Sequence, residues 1–245
     1  MMISRFSALL ALTMLCGLSP ACGDDPASAK TAETESAKKS KAKENAKNWK
    51  PLFDGKTLKG WKISDFYGES EVGVKDGAIV MTPGVFMAGV TATQKIPKIN
   101  YEVSLEAQRV KGTDFFCGLT FPVEDEFCSL IVGGWGGGVV GLSSLNGMDA
   151  SENETTTYRE FENKKWYPIK LRVTAERITA WIDGEKMVDV DIEDSTLSTR
   201  LEVEWSKPFG IATWSTTGAI RDIKIRELPA EEVKKVNSVD LGFGS

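Results

Sequence analysis

The sequence predicts an all-β domain, a sandwich or a barrel, and three observations support this. From Trp49 onward, apolar and polar residues alternate with a period of two, which is typical of strands. Turn signals recur about every ten residues and include Asp-Gly pairs at 76–77 and 183–184, which favour two-residue hairpins. No stretch of the domain sustains an amphipathic helical pattern. We therefore expect about a dozen short strands in a single domain.

The clearest strand is "YEVSLEAQR" at 101–109, where Tyr101 and Leu105 lie on one side and Glu102 and Glu106 on the other. The segment 169–192 contains three strands, with turns at 175–176 and 183–184. Alternating isoleucines in 218–228 close the domain.

Composition limits the function classes. Hydrophobic residues make up 41 % of the 245 positions, enough for one sizeable core. The chain has 30 Lys and Arg against 35 Asp and Glu, a mildly acidic balance. No basic stripe recurs in the domain, so nothing indicates a nucleic-acid partner. The chain has no histidine, so catalysis would have to use carboxylates, Lys, Arg, Tyr, Ser or Cys.

Residues 1–22 have the pattern of a secretory signal peptide: Arg5, then an apolar run at 6–18 that is too short to span a membrane. The stretch "LSPAC" resembles a bacterial lipobox, which would make Cys22 the lipidated residue; the alternative is ordinary cleavage near Ala21. We predict an exported protein, periplasmic or on the outer surface, that contacts a membrane only through a lipid on Cys22, or is secreted if the lipobox does not function.

The polar segments divide the rest of the chain. Residues 23–48 contain no large apolar residue and cannot bury enough surface to fold, so we predict a disordered tether. The domain then occupies 49–228, and 229–245 is a polar C-terminal tail. The one plausible helix lies in that tail: Pro229 precedes acids and then lysines.

Two cysteines fall in the domain. Cys117 and Cys128 both alternate with apolar residues on what we predict to be neighbouring strands. Either they form a disulfide, which an exported protein permits, or they are two inert buried thiols. A catalytic cysteine is disfavoured because no histidine is present to activate it.

A glycine cluster surrounds Trp135 and precedes a long polar stretch. Five glycines lie in "GGWGGG" at 133–138, where such clusters mark a bulge or a close backbone approach. The stretch that follows carries Asp149, Asn153 and Arg159, and loops of this length inside a domain are usually functional or disordered.

Five motifs, in order, resemble those of the 3-keto-disaccharide hydrolase domain family, also described as 3-keto-glucoside lyases and 3-keto-2-hydroxy-glucal hydratases. They are "PLFDGKTLKGW", "VKDGAIVM", "NYEVSLEAQRVKGTDFFCGLTF", "KWYPIKLRVTAERITAWIDGEKMVD" and "IRDIKIREL". The resemblance covers 51–228. It implies a concanavalin A-like jelly-roll sandwich, similar to laminin-G domains, that is exported, often lipid-anchored, and acts on oxidised sugars.

The resemblance also implies a chemistry. A ketone at C3 of a glucoside acidifies the C2 proton, so a base can remove it, an electrophile can hold the enolate oxygen, and the C1 substituent can leave before water adds back. The expected ligand is a small oligosaccharide or oxidised glycoside, held partly by aromatic stacking. We predict no cofactor; a structural or catalytic divalent cation stays open.

Glu106 matches the family's strand glutamate, on the polar side that would form the concave face, and is either the catalytic base, a sugar-binding carboxylate or a solvated residue. Asp114 is a second catalytic carboxylate or a loop cap. Trp135 is the best stacking candidate, unless it is a core residue that needs small neighbours. The further substrate-binding candidates are Asp149, Asn153, Arg159 and Trp214.

Three elements of the family pattern are changed in this chain. The family's arginine would fall within "GLTFPV", which contains no arginine, and its carboxylate-bearing strand would fall at "FCSLIVGG", which contains no carboxylate. A late element with a histidine is replaced by "TWSTTG". Two other functions therefore compete with the enzyme, a non-catalytic carbohydrate-binding module and a tethered protein-interaction domain. Fold alone separates none of these.

Overall fold

Residues 48–239 of the computed structural model are described, and they form fifteen strands, one 3-10 helix (Leu201–Ser206) and one α-helix. The predicted signal peptide, the lipidation residue Cys22 and nearly all of the predicted tether lie outside the described residues. None of the helices in 48–239 has the length and apolarity needed to cross a membrane.

The strands form two antiparallel sheets. Sheet A has the order β13-β12-β11-β6-β15-β4-β3, with β1 paired to β15. Its strands are β1 (Lys50–Pro51), β3 (Glu71–Lys75), β4 (Ala78–Thr82), β6 (Tyr101–Gly112), β11 (Trp166–Val173), β12 (Arg177–Ile182), β13 (Glu185–Asp191) and β15 (Thr216–Glu227).

Sheet B has the order β10-β9-β8-β7-β14-β5-β2. Its strands are β2 (Trp61–Ile63), β5 (Met87–Ala92), β7 (Cys117–Val123), β8 (Glu126–Gly134), β9 (Val139–Ser143), β10 (Thr157–Tyr158) and β14 (Gly210–Trp214). The chain changes sheet repeatedly, for example from β5 to β6 to β7. The predicted all-β jelly-roll sandwich is confirmed.

Alternation along each strand assigns side chains to a core face and an outer face. On β6, Leu105 and Ala107 belong to the core between the sheets, and on β8 the core residues are Leu130 and Val132. The residues between them must point the other way. Glu106 therefore lies on the outer face of sheet A, whereas Ser129 and Ile131 lie on the outer face of sheet B.

Residues 51–61 form a hydrogen-bonded turn at the start of the domain. Asp54 accepts hydrogen bonds from the N–H groups of Lys56 (2.8 Å) and Thr57 (2.7 Å), and these bonds lower the pKa of its carboxyl to about 2. Trp61 donates its indole N–H to the Leu52 carbonyl at 2.8 Å, which ties the end of the turn to its beginning. The two ends of the stretch are thus hydrogen-bonded to each other, and its apolar residues pack in the core.

The two cysteines of the domain are buried free thiols. In the β7–β8 pairing, Cys117 lies opposite Val132 and Cys128 lies opposite Phe121. The thiols are therefore four residues apart along the ladder, about 13 Å, which no disulfide can bridge. The disulfide alternative is wrong, and burial raises the pKa of each thiol to about 12.

After β15 the chain forms helix α1 (Ala230–Val239), within the segment that we predicted as a tail with one plausible helix. Arg226 of β15 binds Glu232 of the helix, with Nη2 to Oε2 at 2.8 Å, and so attaches the helix to the last strand. Residues 240–245 lie outside the described range.

Candidate functional site

A cavity of about 270 Å³ lies on the outer face of sheet B. Strands β5, β8, β9 and β14, the loop before β7, the turn after β8 and the chain around the 3-10 helix all contribute to its walls. The lining residues are Met87, Asp114, Phe115, Ser129, Ile131, Trp135, Ser143, Arg200, Glu202, Val203 and Trp214. Its volume is close to that of a small-molecule site.

Small residues on the sheet make room for the aromatic rings around the cavity. A Cβ added to Gly118 would lie 3.0 Å from the Phe115 ring, and one added to Gly89 would lie 2.8 Å from the Phe66 ring. Ala212 pairs with both glycines in the ladder. These positions keep the sheet surface flat, so that rings can lie directly on it.

Arg200, just before the 3-10 helix, connects that helix to the loop after β9. Its guanidinium binds Asp149 and also Glu202, the latter at 2.8 Å. Asp149 is held in turn by the hydroxyls of Ser143 (3.2 Å) and Ser144 (3.4 Å). The hydrogen bonds with Arg200 lower the pKa of Glu202, and those with Glu202 raise the pKa of Arg200. The cavity therefore contains a guanidinium fixed by two carboxylates.

Asp114 presents a carboxylate at another part of the wall. Its Oδ1 accepts the Phe115 N–H at 2.7 Å, and its own N–H donates to the Thr216 hydroxyl at 3.0 Å. Its Oδ2 has no hydrogen bond to any residue in the described range 48–239. The group is thus oriented through one oxygen while the other is free to meet a bound molecule.

Two tryptophans complete the walls. Trp135 lies in the tight turn between β8 and β9 with φ +47°, a conformation that residues with a Cβ rarely adopt. Arg109 steadies this turn through a 3.2 Å hydrogen bond to the Gly137 carbonyl. Trp214 stacks on Phe86, with ring centroids 5.3 Å apart and planes 11° from parallel.

Glu106 is separated from this cavity, and the expectation that it shares a site with Asp114 is wrong. Its carboxylate lies 2.5 Å from Nε of Arg221, whose guanidinium lies 4.0 Å from the ring centroid of Trp166. The physical reason is the parity of the strand: because Leu105 and Ala107 face the core, Glu106 must face away from it on sheet A.

Arg159 and Asn153 also lie apart from the cavity, and each has a structural role in place of the expected ligand contact. Arg159 binds Asp183 and Glu185, both at 3.1 Å, and so holds the β12–β13 turn. Asn153 is buried, and its amide donates to the carbonyls of Leu142 (2.7 Å) and Asp149 (2.8 Å).

Of the residues that we predicted, Asp114, Trp135 and Trp214 line the cavity, and Asp149 reaches it through Arg200. Their roles stay predictions. Arg200 and Glu202 were not predicted. The stretch that follows Arg200, "LEVEW" at 201–205, alternates apolar and acidic residues as a strand does, yet it forms a 3-10 helix. Its three apolar residues were the signal that it packs on the domain, and Val203 lines the cavity. In the described part of the chain, no three Cys, Asp or Glu side chains gather as a metal site.

The fold and the cavity define a class: a jelly-roll sandwich with a ligand-sized cavity on one outer face, lined by aromatic rings, carboxylates and an arginine. Within this class, the chain belongs to the 3-keto-α-glucoside-1,2-lyase-like domain family, whose model matches residues 48–226. The family makes this a carbohydrate-related domain. No curated protein matches the chain at a significant level.

Solved structures share the architecture at low sequence identity. A Crh5 transglycosylase in complex with NAG is 12% identical, with a TM-score of 0.50, and the match covers 74% of this chain and 84% of that chain. The VIP36 exoplasmic/lumenal domain is 13% identical, with a TM-score of 0.50 over 79% of this chain and 93% of that chain. The carbohydrate-binding module CBM66 from Bacillus subtilis is 11% identical, with a TM-score of 0.46 over 69% and 96%. The two likenesses with a TM-score of 0.50 show the fold alone.

Proposed function

We propose that the domain cleaves 3-keto-glycosides in the cavity of sheet B, by elimination and then hydration. One observation carries the proposal. In this member of the family, the cavity lining includes an oriented carboxylate, Asp114, a fixed guanidinium, Arg200, and the rings of Trp135 and Trp214. A base, an oxyanion stabiliser and stacking surfaces are the groups that this reaction needs.

Asp114 is the base. A ketone at C3 acidifies the hydrogen on C2, so a carboxylate can remove that proton and leave an enolate. The Phe115 N–H fixes Oδ1, and Oδ2 is the oxygen that takes the proton. When the C1–O bond breaks, the electron pair of the enolate forms the C1=C2 double bond, and the departing oxygen receives a proton from the Asp114 carboxyl.

Arg200 stabilises the enolate oxygen. Its positive charge and planar donors suit an oxygen that becomes negative during the reaction. Asp149 and Glu202 hold it in place, so little reorganisation is needed when the charge develops. Water then adds across C1=C2, with its hydroxyl to C1 and a proton to C2, and the net result is hydrolysis of the glycosidic bond.

A chromogenic nitrophenyl 3-keto-glucoside tests the proposal. We expect Asp114→Asn to lower kcat/KM by a factor of about 10² to 10⁴, since an amide cannot accept the C2 proton. Glu106→Gln is the matched control on sheet A and should leave turnover within about twofold of the native chain. Loss of turnover in Glu106→Gln with retention in Asp114→Asn would overturn the assignment. Thermal unfolding of each variant checks that it is folded.

A non-catalytic carbohydrate-binding module is the second candidate. One observation favours it: Arg200 is already bound to two carboxylates, as expected of a structural arginine. Saturable binding of the 3-keto-glucoside without nitrophenol release would support this candidate. If the sugar neither binds nor reacts, the third reading, a tethered protein-interaction domain, would be favoured.

We also propose that the protein is exported and anchored by a lipid at Cys22, on the signal-like pattern of residues 1–22. Labelling of expressing bacteria with a palmitate analogue should mark the native chain and the Cys16→Ser variant, but not Cys22→Ser. Labelling that survives Cys22→Ser would contradict the anchor, and an unlabelled native chain in the culture fluid would indicate plain secretion.

A further inference from the structure

The cavity of sheet B is divided into a polar part and an apolar part. Ser129 and Ser143 lie opposite each other on β8 and β9, next to the Arg200–Glu202 pair. On the other side of β7, the paired residues Trp214 and Met87 form the wall. Trp214 lies two strand spacings, about 10 Å, from Ser129 across the sheet and four residues, about 13 Å, from it along the strands. The cavity is therefore long enough for two chemically different groups.

The apolar part continues out of the cavity onto one exposed ring. Phe86, which is 53% exposed, stacks on Trp214 and extends that wall toward solvent. A large apolar side chain that is exposed next to a cavity can be part of a binding surface.

We infer that this surface, formed by Phe86, Trp214 and Met87, is a subsite for a planar aromatic aglycone. The inference rests on the proposed function in one respect, since it places the sugar of the same glycoside in the polar part. The departing group of the substrate would then be an aromatic alcohol, and the sugar ring would lie beside Arg200 with its C2 carbon toward Asp114.

The chemistry of the surface favours an aromatic ring over a second sugar. Each sugar hydroxyl that leaves water needs a hydrogen-bond partner, or its burial costs free energy. The wall formed by Met87, Phe115 and Trp214 offers ring faces, a thioether and a single strong donor, the Trp214 indole N–H. The nearly parallel Phe86–Trp214 pair is a flat extension against which another ring can stack or meet edge to face.

Binding of unoxidised α-glucosides tests the subsite without any turnover, because these compounds lack the C3 ketone. The probes are methyl, cyclohexyl and phenyl α-glucoside and trehalose, measured by calorimetry with the full chain. We expect phenyl α-glucoside to bind about tenfold more tightly than the methyl compound, and more tightly than trehalose or the cyclohexyl compound. In Phe86→Ala the phenyl-to-methyl ratio should fall to about threefold or less. Tyr158→Ala, which removes an exposed ring on the edge strand β10, should keep the native ratio.

Equal affinity for the phenyl and methyl compounds, tighter binding of trehalose, or no measurable binding of the phenyl compound would overturn the subsite. The two proposals fail separately. A phenyl preference without turnover of 3-keto-glucosides leaves the subsite standing and removes the enzyme. Turnover of methyl 3-keto-glucoside without a phenyl preference keeps the enzyme and removes the subsite, and the exposed Phe86 ring would then belong to a protein-docking surface.

Discussion

The outer faces of the two sheets carry charged and aromatic side chains, but they are organised differently. On sheet A, Glu102 is 1% exposed and lies within 3.1 Å of Lys170, 2.7 Å of Arg172 and 2.6 Å of Arg226. Two of these cations lie over the ring of Trp181, at 4.7 and 5.3 Å. Around Glu102 and Trp181, the charges and rings of sheet A therefore interact with each other.

On sheet B the polar groups are few and the rings surround a space. Glycine and alanine on the strands let Phe66 and Phe115 lie flat, and Asp114 keeps one carboxylate oxygen without a hydrogen bond among the described residues. A carboxylate on a polar strand face is therefore weak evidence of function. What matters is whether its neighbours complete its interactions, as for Glu102, or leave them open.

The largest expected effect is on sheet A. Glu102→Gln should lower the free energy of unfolding by about 3 to 5 kcal/mol, because it leaves three cations around a neutral side chain. Urea unfolding at pH 7 measures this. Glu71→Gln, which changes an exposed carboxylate on β3, should alter stability by less than about 0.5 kcal/mol. Similar small effects of both substitutions would show that the Glu102 cluster contributes little to stability.

The second effect contrasts two arginines of similar exposure, each bound to a carboxylate: Arg200 at 44% and Arg221 at 39%. Arg200→Met should lower kcat on a 3-keto-glucoside by a factor of about 10² to 10³, as expected when an oxyanion donor is lost. Arg221→Met should leave kcat unchanged. Equal losses in the two variants would mean that the faces do not differ in function.

The third effect is on the pH dependence of stability. Burial alone would raise the pKa of Glu102, but Lys170, Arg172 and Arg226 hold it below its ordinary value of 4.5. A carboxyl with a depressed folded-state pKa adds stability above its unfolded-state pKa and loses it as the pH falls through the folded-state pKa.

Urea unfolding from pH 7 down to pH 3 should therefore show the gap between the native chain and Glu102→Gln narrowing below about pH 4.5, by at most about 1.4 kcal/mol per pH unit. A gap that is constant, or that widens, would show that the cations do not depress this pKa.

The smallest expected effect concerns Trp135, whose φ of +47° is costly for a residue with a Cβ. Trp135→Gly should raise the free energy of unfolding by up to about 1 kcal/mol and weaken binding of a 3-keto-glucoside about tenfold. Asp76→Gly relaxes the same conformation, φ +50°, in the β3–β4 hairpin of sheet A, and should leave binding unchanged. Unchanged affinity in Trp135→Gly would remove its stacking role.

Much of the fold was predictable from local signals. Both Asp-Gly pairs form tight hairpins with positive φ at both residues, between β3 and β4 and between β12 and β13. The strand predicted at 101–109 is the body of β6, and the three strands predicted in 169–192 are β11, β12 and β13. These elements were predictable because strand alternation and turn residues are local signals, which span only a few neighbouring positions.

The site was less predictable. Asp114, Trp135 and Trp214 were found because a glycine-rich turn and isolated tryptophans stand out in the sequence. Glu106 was misplaced because a motif match gives a position in a strand but not the sheet face that carries a cavity. Arg200 was missed because its contact with Asp149 joins two distant loops.

Local patterns in the sequence are sufficient to predict an all-β jelly-roll sandwich of a carbohydrate-related family, since strand period, hairpin turns and family motifs each occupy a short stretch of chain. The outer face that carries the cavity could be identified only from the folded structure. Alternation divides each strand into two sides, but the pairing of charges on sheet A and the placement of the 3-10 helix over sheet B depend on contacts between residues that are far apart in the chain.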